Sequence, residues 1–266
     1  MSKYEKPSRI PFPTTKNNNG KPYAGIGSRS INKAKNHDEL KEIMISCGYY
    51  LALMGFTLRS GGADGPDEYF ELGTDLAMYV KSKGEKEIFL PWWKFRENPS
   101  HLFGTNIKPN VMKEMIRIAA DYHPGWYNER FKKENVNGKI KINTNKIDEN
   151  YKIEETYQEL KDTYKKMMSR NVCQIKGENL DNPVKFVICW TADGVIDKEH
   201  RTKDTGGTGQ AIAIASDLGI NVYNLQREDH LLRIKEGIKE WEQKFGPRPD
   251  ISILPYEYNQ QKKFSM

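Results

Sequence analysis

Three glycine clusters constrain this chain most, because each follows a short apolar run or opens a segment of helical periodicity. Tyr23-Ala24-Gly25-Ile26-Gly27 runs from a buried strand into glycines, after which Leu40, Ile43, Met44, Cys47, Tyr50, Leu51 and Met54 recur at helical spacing until Gly55. Phe56-Thr57-Leu58 predicts a second strand. Ser60-Gly61-Gly62-Ala63-Asp64-Gly65-Pro66 follows it and leads into a helix carrying Tyr69, Phe70, Leu72, Leu76, Ala77 and Val80, with Pro66 suited to the first turn. Glu87 to Leu90 predicts a third strand, stopped by Pro91. After residue 182 the rhythm resumes. Val184 to Trp190 reads as a strand, Gly206-Gly207-Thr208-Gly209 opens a helix through Leu218, Ile220 to Leu225 is the next strand, and His230 to Phe245 a closing amphipathic helix. This alternation predicts an α/β fold, a Rossmann-like doubly wound and mostly parallel sheet.

The rest of the chain fits around that frame. Residues 1–20, with Pro7, Pro11, Pro13 and Asn17-Asn18-Asn19, have no periodicity and read as a flexible N-terminal arm. Residues 21–266 read as a single domain with a helical insertion at about 94–182. Helices are expected there around 110–120 and 153–168, separated by a Lys/Asn-rich stretch, Lys132 to Asn150, with no core face. The 42 Lys+Arg exceed the 36 Asp+Glu by six, too small an excess to demand a nucleic-acid partner. No apolar run reaches about 18 residues and the first twenty lack a secretory leader, so a cytoplasmic protein with no membrane partner is expected. Cys47, Cys173 and Cys189 form no C-x-x-C pair and read as reduced and structural; the five histidines show no ligand spacing, so neither a metal nor a cofactor is expected.

In a parallel sheet, all three glycine clusters fall at the carboxyl ends of the strands, where ligands bind. Glycine lets backbone N–H groups approach a phosphate, and a helix N-terminus favours an anion. The expected ligand is therefore a phosphorylated small molecule. Neither G-x-x-x-x-G-K-[ST] nor G-x-G-x-x-G is present at these loops, which argues against classical NTPase and dehydrogenase sites. The candidate binding residues are Gly25, Gly27, Ser28 and Arg29 in the first loop, Ser60, Gly61, Gly62, Ala63, Asp64 and Asp67 in the second, and Gly206, Gly207, Thr208, Gly209 and Gln210 in the third. Gly25-x-Gly27 reads equally as a tight strand-to-helix turn. Arg170 and Asn171, where the insertion returns to the sheet, are candidates for a second phosphate, and Trp190-Thr191 for a base and sugar, with a core tryptophan as the alternative. Asp67 and Glu71 stand i,i+4 on one helix face; they are the catalytic candidates if the protein is a glycosidase, and otherwise stabilise the helix start.

Tyr23-Ala24-Gly25-Ile26-Gly27-Ser28-Arg29, Leu58-Arg59-Ser60-Gly61-Gly62-Ala63-Asp64-Gly65-Pro66-Asp67 and Phe70-Glu71-Leu72-Gly73 resemble the SLOG superfamily of Rossmann-like nucleotide-binding folds. Ser169-Arg170-Asn171-Val172-Cys173-Gln174-Ile175-Lys176-Gly177, Phe186-Val187-Ile188-Cys189-Trp190-Thr191 and Gly206-Gly207-Thr208-Gly209 extend the likeness to its phage-encoded, DprA/Smf-like branch. The resemblance covers about Tyr23 to Leu225. It implies nucleotide-type binding, a homo-oligomer, and, as alternatives, a recombination or processing factor that holds single-stranded DNA or a hydrolase of nucleotides. The LOG phosphoribohydrolases of the superfamily carry a G-G-x-G-T motif and a glutamate three residues later. Here Gln210 and Ala213 stand at those two positions, so that activity does not carry over.

Overall fold

The structure, a computed structural model, describes residues 20–103, 107–122, 133–136, 139–142 and 162–255. The expected N-terminal arm, apart from Gly20, and most of the Lys/Asn-rich stretch lie outside the described residues.

Five strands, β1 (Lys21–Gly27), β2 (Phe56–Ser60), β3 (Glu85–Ile88), β6 (Phe186–Trp190) and β7 (Asn221–Asn224), form one all-parallel sheet in the order β3-β2-β1-β6-β7. A separate antiparallel pair, β4 (Lys133–Val136) and β5 (Lys139–Ile142), falls within the Lys/Asn-rich stretch. Among the described residues the α-helices are α1 (His37–Leu53), α2 (Pro66–Lys81), α3 (Pro109–Tyr122), α4 (Asp162–Lys176), α5 (Thr208–Asp217) and α6 (Glu228–Phe245). This is a Rossmann-like α/β fold.

The two-residue period of the strands sorts their side chains between two cores. Tyr23, Leu58, Phe186, Ile188 and Tyr223 point into one core, shared with α1, α2 and α6. Ala24, Ile26, Val187, Cys189 and Val222 point into the other, shared with α3, α4 and α5. Because helices cover both faces, the central strands read as continuous apolar runs rather than alternating ones.

The stretch read as an insertion therefore contributes α3 and α4 to the layer that covers one face of the sheet. Of the helix expected around 153–168, the described part is α4, which runs on to Lys176 and stops at Gly177, whose φ of +79° ends the helical path. Its buried Met168, Val172, Cys173 and Ile175 recur at helical spacing against the sheet. Arg170 and Asn171 thus sit within a helix and not at its exit. β3 starts and ends two residues earlier than expected, and Phe89 and Leu90 continue beyond it as buried chain.

Glycine governs the closest approaches. A Cβ on Gly73 of α2 would lie 1.9 Å from the Ile45 carbonyl oxygen of α1, and one on Gly48 would lie 2.3 Å from the Phe70 carbonyl oxygen, so α1 and α2 cross backbone to backbone. A Cβ on Gly25 would lie 2.5 Å from the Phe70 ring, and one on Gly27 would lie 2.6 Å from Pro66. The glycines of β1 thus make room for α2. All three cysteines are free and buried, and burial raises each thiol pKa. No helix among the described residues is long and apolar enough to cross a membrane.

Candidate functional site

The chain runs outward from β1 to β2 to β3, then crosses to the other side of β1 for β6 and β7. The loops after β1 and β6 therefore diverge, which opens a crevice at the carboxyl end of the sheet. A cleft of about 370 Å³ lies there, lined by Gly27–Ser30 from the first loop, Ala63 and Asp67 from the second, Gly206–Thr208 from the third, and one face of α4.

Ser28 starts the first side. Its N–H donates to the Trp190 carbonyl (2.9 Å), pinning the loop to the end of β6, and its Oγ accepts from Ser30 N (3.3 Å) and shares a hydrogen bond with Ser30 Oγ (2.8 Å). Arg29 next to it is exposed. On the opposite side Gly206 takes a φ of +63°, and Gly207 caps α5 with no side chain satisfying the helix end. No side chain caps this ten-residue helix; in its first turn Gly209 N and Gln210 N donate back to the Gly206 (3.2 Å) and Gly207 (3.3 Å) carbonyls. The loop leading there is braced by Asp193, whose Oδ2 accepts from the hydroxyls of Thr202 (2.7 Å) and Thr205. Burial alone would raise the Asp193 pKa, but the bonds from Thr205, Thr202 and Thr191 bring it below the usual carboxylate range.

The floor is organised by Asp67, which is 3 % exposed. Its Oδ1 accepts from Gly27 N (3.3 Å), and its Oδ2 accepts from Gly61 N (3.1 Å), Ala63 N (3.4 Å) and Arg170 Nη1 (3.2 Å). One carboxylate thereby joins the first loop, the second loop and α4. Burial pushes its pKa up, and the Arg170 guanidinium and the backbone N–H groups offset only part of that rise. Gly61 permits the arrangement, because a Cβ there would fall 0.9 Å from Arg170 Nη1. Gln174, with its amide turned to satisfy its neighbours, accepts from Arg170 Nη1 (3.1 Å) and Gly61 N (3.0 Å) and donates to Asn171 Oδ1 (3.1 Å). Arg170 is 8 % exposed, and its Nε has no hydrogen-bond partner. Asn171 Nδ2 donates to the Gly207 carbonyl (3.2 Å) and to Gln210 Oε1 (3.2 Å), tying α4 to the third loop.

Of the residues singled out by sequence, Gly27, Ser28, Arg29, Ala63, Asp67, Arg170, Asn171, Gly206, Gly207 and Thr208 meet in this one cleft. The others lie outside its lining. Gly25 is packed against Phe70, and Ser60 Oγ donates to the Gly25 carbonyl (2.7 Å). Gly61 lies beneath Arg170, and Gly62 lies near Ile88 and Leu90. Asp64 forms an ion pair with Arg96. Glu71 accepts from Lys86 Nζ (2.9 Å) and from Asn98 Nδ2 (3.1 and 3.2 Å), so the i,i+4 pair of carboxylates does not converge on the cleft. Trp190 is buried, with its Nε1 donating to Gln226 Oε1 (3.0 Å), and Thr191 is fully buried and bonded to Asn224. Gly209 abuts Thr205, and Gln210 Nε2 donates to the Ala119 carbonyl (2.7 Å).

Sequence reasoning missed Ser30, Tyr164, Met167, Met168 and Gln174. For the four on α4 the available signal was the i, i+3, i+4, i+10 spacing of residues 164, 167, 168 and 174. Among the described residues no cluster of His, Cys, Asp and Glu is arranged to hold a metal ion. Comparison with family models, curated proteins and solved structures found no significant match for this chain.

Proposed function

We propose that this protein binds the phosphate of a nucleotide or nucleotide-derived ligand in the cleft between the ends of β1 and β6, and that it acts by binding rather than by breaking a bond. One observation carries the reading: Ser28 and Arg29 line one crevice together with the N-terminus of α5, which no side chain caps, and with a buried arginine that has an unbonded Nε–H. The positive end of a helix, a hydroxyl and the exposed Arg29 guanidinium together suit an anion, and the Arg170 charge in the floor adds to the field. The resemblance of these loops to SLOG proteins supports the same ligand class.

The carboxylates argue against hydrolysis. Asp67 is surrounded by four donors and holds the loops together, while Glu71 is bonded to Lys86 and Asn98 away from the cleft. A glycosidase needs a carboxylate that reaches the anomeric carbon or its water, and neither side chain is placed for that.

The test is calorimetric titration with inorganic phosphate, ribose 5-phosphate and a panel of nucleoside mono-, di- and triphosphates. At least one should bind, and Arg29→Ala should weaken it by about tenfold or more through loss of a charge-assisted bond. It should do so without moving the thermal midpoint, since Arg29 is exposed. Absence of any binding would remove the proposal, and release of free base from a bound nucleotide would replace it with the hydrolase reading.

A further inference from the structure

The cleft wall contributed by α4 is graded. Tyr164, Met167, Met168, Asn171 and Gln174 follow one another at i, i+3, i+4, i+7 and i+10, so they form a single stripe along the helix. All five line the cleft. The N-terminal half of the stripe is an aromatic ring and two thioethers; the C-terminal half, joined by Arg170, is amides and a guanidinium. At 1.5 Å per residue the stripe is about 15 Å long. Its apolar half lies directly beside the glycine loop, since a Cβ on Gly207 would lie 3.0 Å from the Met168 methyl. Tyr164 at the end of the stripe is 42 % exposed, a large ring turned partly to solvent at the mouth of a polar crevice.

A bare inorganic anion gains nothing from such a wall. An aromatic face and polarisable thioethers beside an anion-binding helix end match a ligand with a planar, π-bearing part next to its phosphate. We propose that Tyr164 and Met167 form the platform on which the base of the nucleotide lies. Its phosphate is then held between Ser28–Arg29 and Gly206–Thr208, and its sugar spans the interval between phosphate and base. This assignment rests on the phosphate reading above and adds the residues that give preference for a base. The cleft volume of about 370 Å³ is near the small end for ligand sites, which favours one nucleoside phosphate over a dinucleotide or a strand.

The experiment titrates the full chain with the four 5′-ribonucleoside monophosphates and with ribose 5-phosphate, which carries the same phosphate and sugar but no base. At least one nucleotide should bind more tightly than ribose 5-phosphate. Tyr164→Ala should weaken that nucleotide about 5- to 100-fold, the range expected for one base on one ring, and leave ribose 5-phosphate within twofold. Tyr164→Phe, which keeps the ring, should stay close to wild type, and Met167→Ala should give a smaller loss confined to the nucleotide. Equal affinity of ribose 5-phosphate and every nucleotide, or an equal loss of both in Tyr164→Ala, would overturn the platform while leaving the phosphate site standing. Failure of all five compounds and of inorganic phosphate to bind would overturn both.

Discussion

Gly61 and Arg170 offer a direct test of how the floor of the cleft is held. A methyl at residue 61 would sit 0.9 Å from Arg170 Nη1 and 2.2 Å from Cζ, where carbon contacts need about 3.5 Å or more. The guanidinium must then withdraw by roughly 3 Å, and its 3.2 Å contact with Asp67 is lost. Removing one partner of a buried ion pair costs about 3–5 kcal/mol when the remaining charge is left alone. Asp67 keeps its backbone donors Gly27 and Ala63, so Gly61→Ala is expected to cost about 2–3 kcal/mol, a fall of about 5–10 °C in thermal midpoint. Gly61 is not among the positive-φ glycines, so alanine brings no backbone strain of its own. The assay is a double-mutant cycle by urea denaturation. In an Arg170→Ala background the nearest obstruction is gone and only the end of the Gln174 side chain, 2.6 Å from the methyl, has to turn aside, so Gly61→Ala should cost under about 1 kcal/mol, giving a coupling of about 1–2 kcal/mol. If Gly61→Ala is as harmful without Arg170 as with it, or harmless in the wild type, the account of this floor is wrong.

Two further outcomes follow from buried contacts. His230 is 5 % exposed and its Nδ1 accepts from Asn224 N (3.0 Å), which requires the neutral ring; burial lowers its pKa, and Asp229 at 4.0 Å does not reverse that. The unfolded chain therefore takes up the proton first, so this stability is complete above about pH 6.5 and is lost as pH falls from there toward the folded value. Urea midpoints between pH 8 and 5 should decline less in His230→Asn than in wild type; parallel curves would contradict the assignment. Gly73→Ala places a methyl 1.9 Å from the Ile45 carbonyl oxygen, which no rotamer change relieves, and should cost about 3 kcal/mol or more. Gly219→Ala meets nothing within 4 Å and carries only its φ of +64°, at about 1 kcal/mol. Equal losses in the two variants, measured by urea denaturation, would show that close crossing of α1 and α2 is not what Gly73 provides.

The sheet is legible in the sequence because it is covered on both faces, so its inner strands stand out as unbroken apolar runs such as Phe186–Trp190 between polar loops. The division of labour among the glycines is not. Gly25, Gly48 and Gly73 exist to let a ring or a backbone come close, and Gly61 exists to admit Arg170, a residue 109 positions later in the chain. A glycine that makes way for a neighbour and one that makes way for an anion have the same letter; the difference lies in a partner whose position only the tertiary fold decides. Asp67 shows the same limit from the other side. A carboxylate beside a glycine loop reads as a group for the ligand, yet its oxygens are engaged by Gly27, Gly61, Ala63 and Arg170. Tyr164 escapes notice because it stands on the cleft side of α4 outside the core, and Met167 and Met168 because they pack against the core as well as lining the cleft, so their apolar signal merges with that of Val172, Cys173 and Ile175. The loops that carry the candidate anion groups are thus held in place by residues that look more like ligands for the anion than the wall beside it does. For this cleft, buried side chains such as Asp67, Asn171 and Gln174 serve the scaffold, and the proposed recognition is left to Ser28, Arg29, a helix end and a helix face.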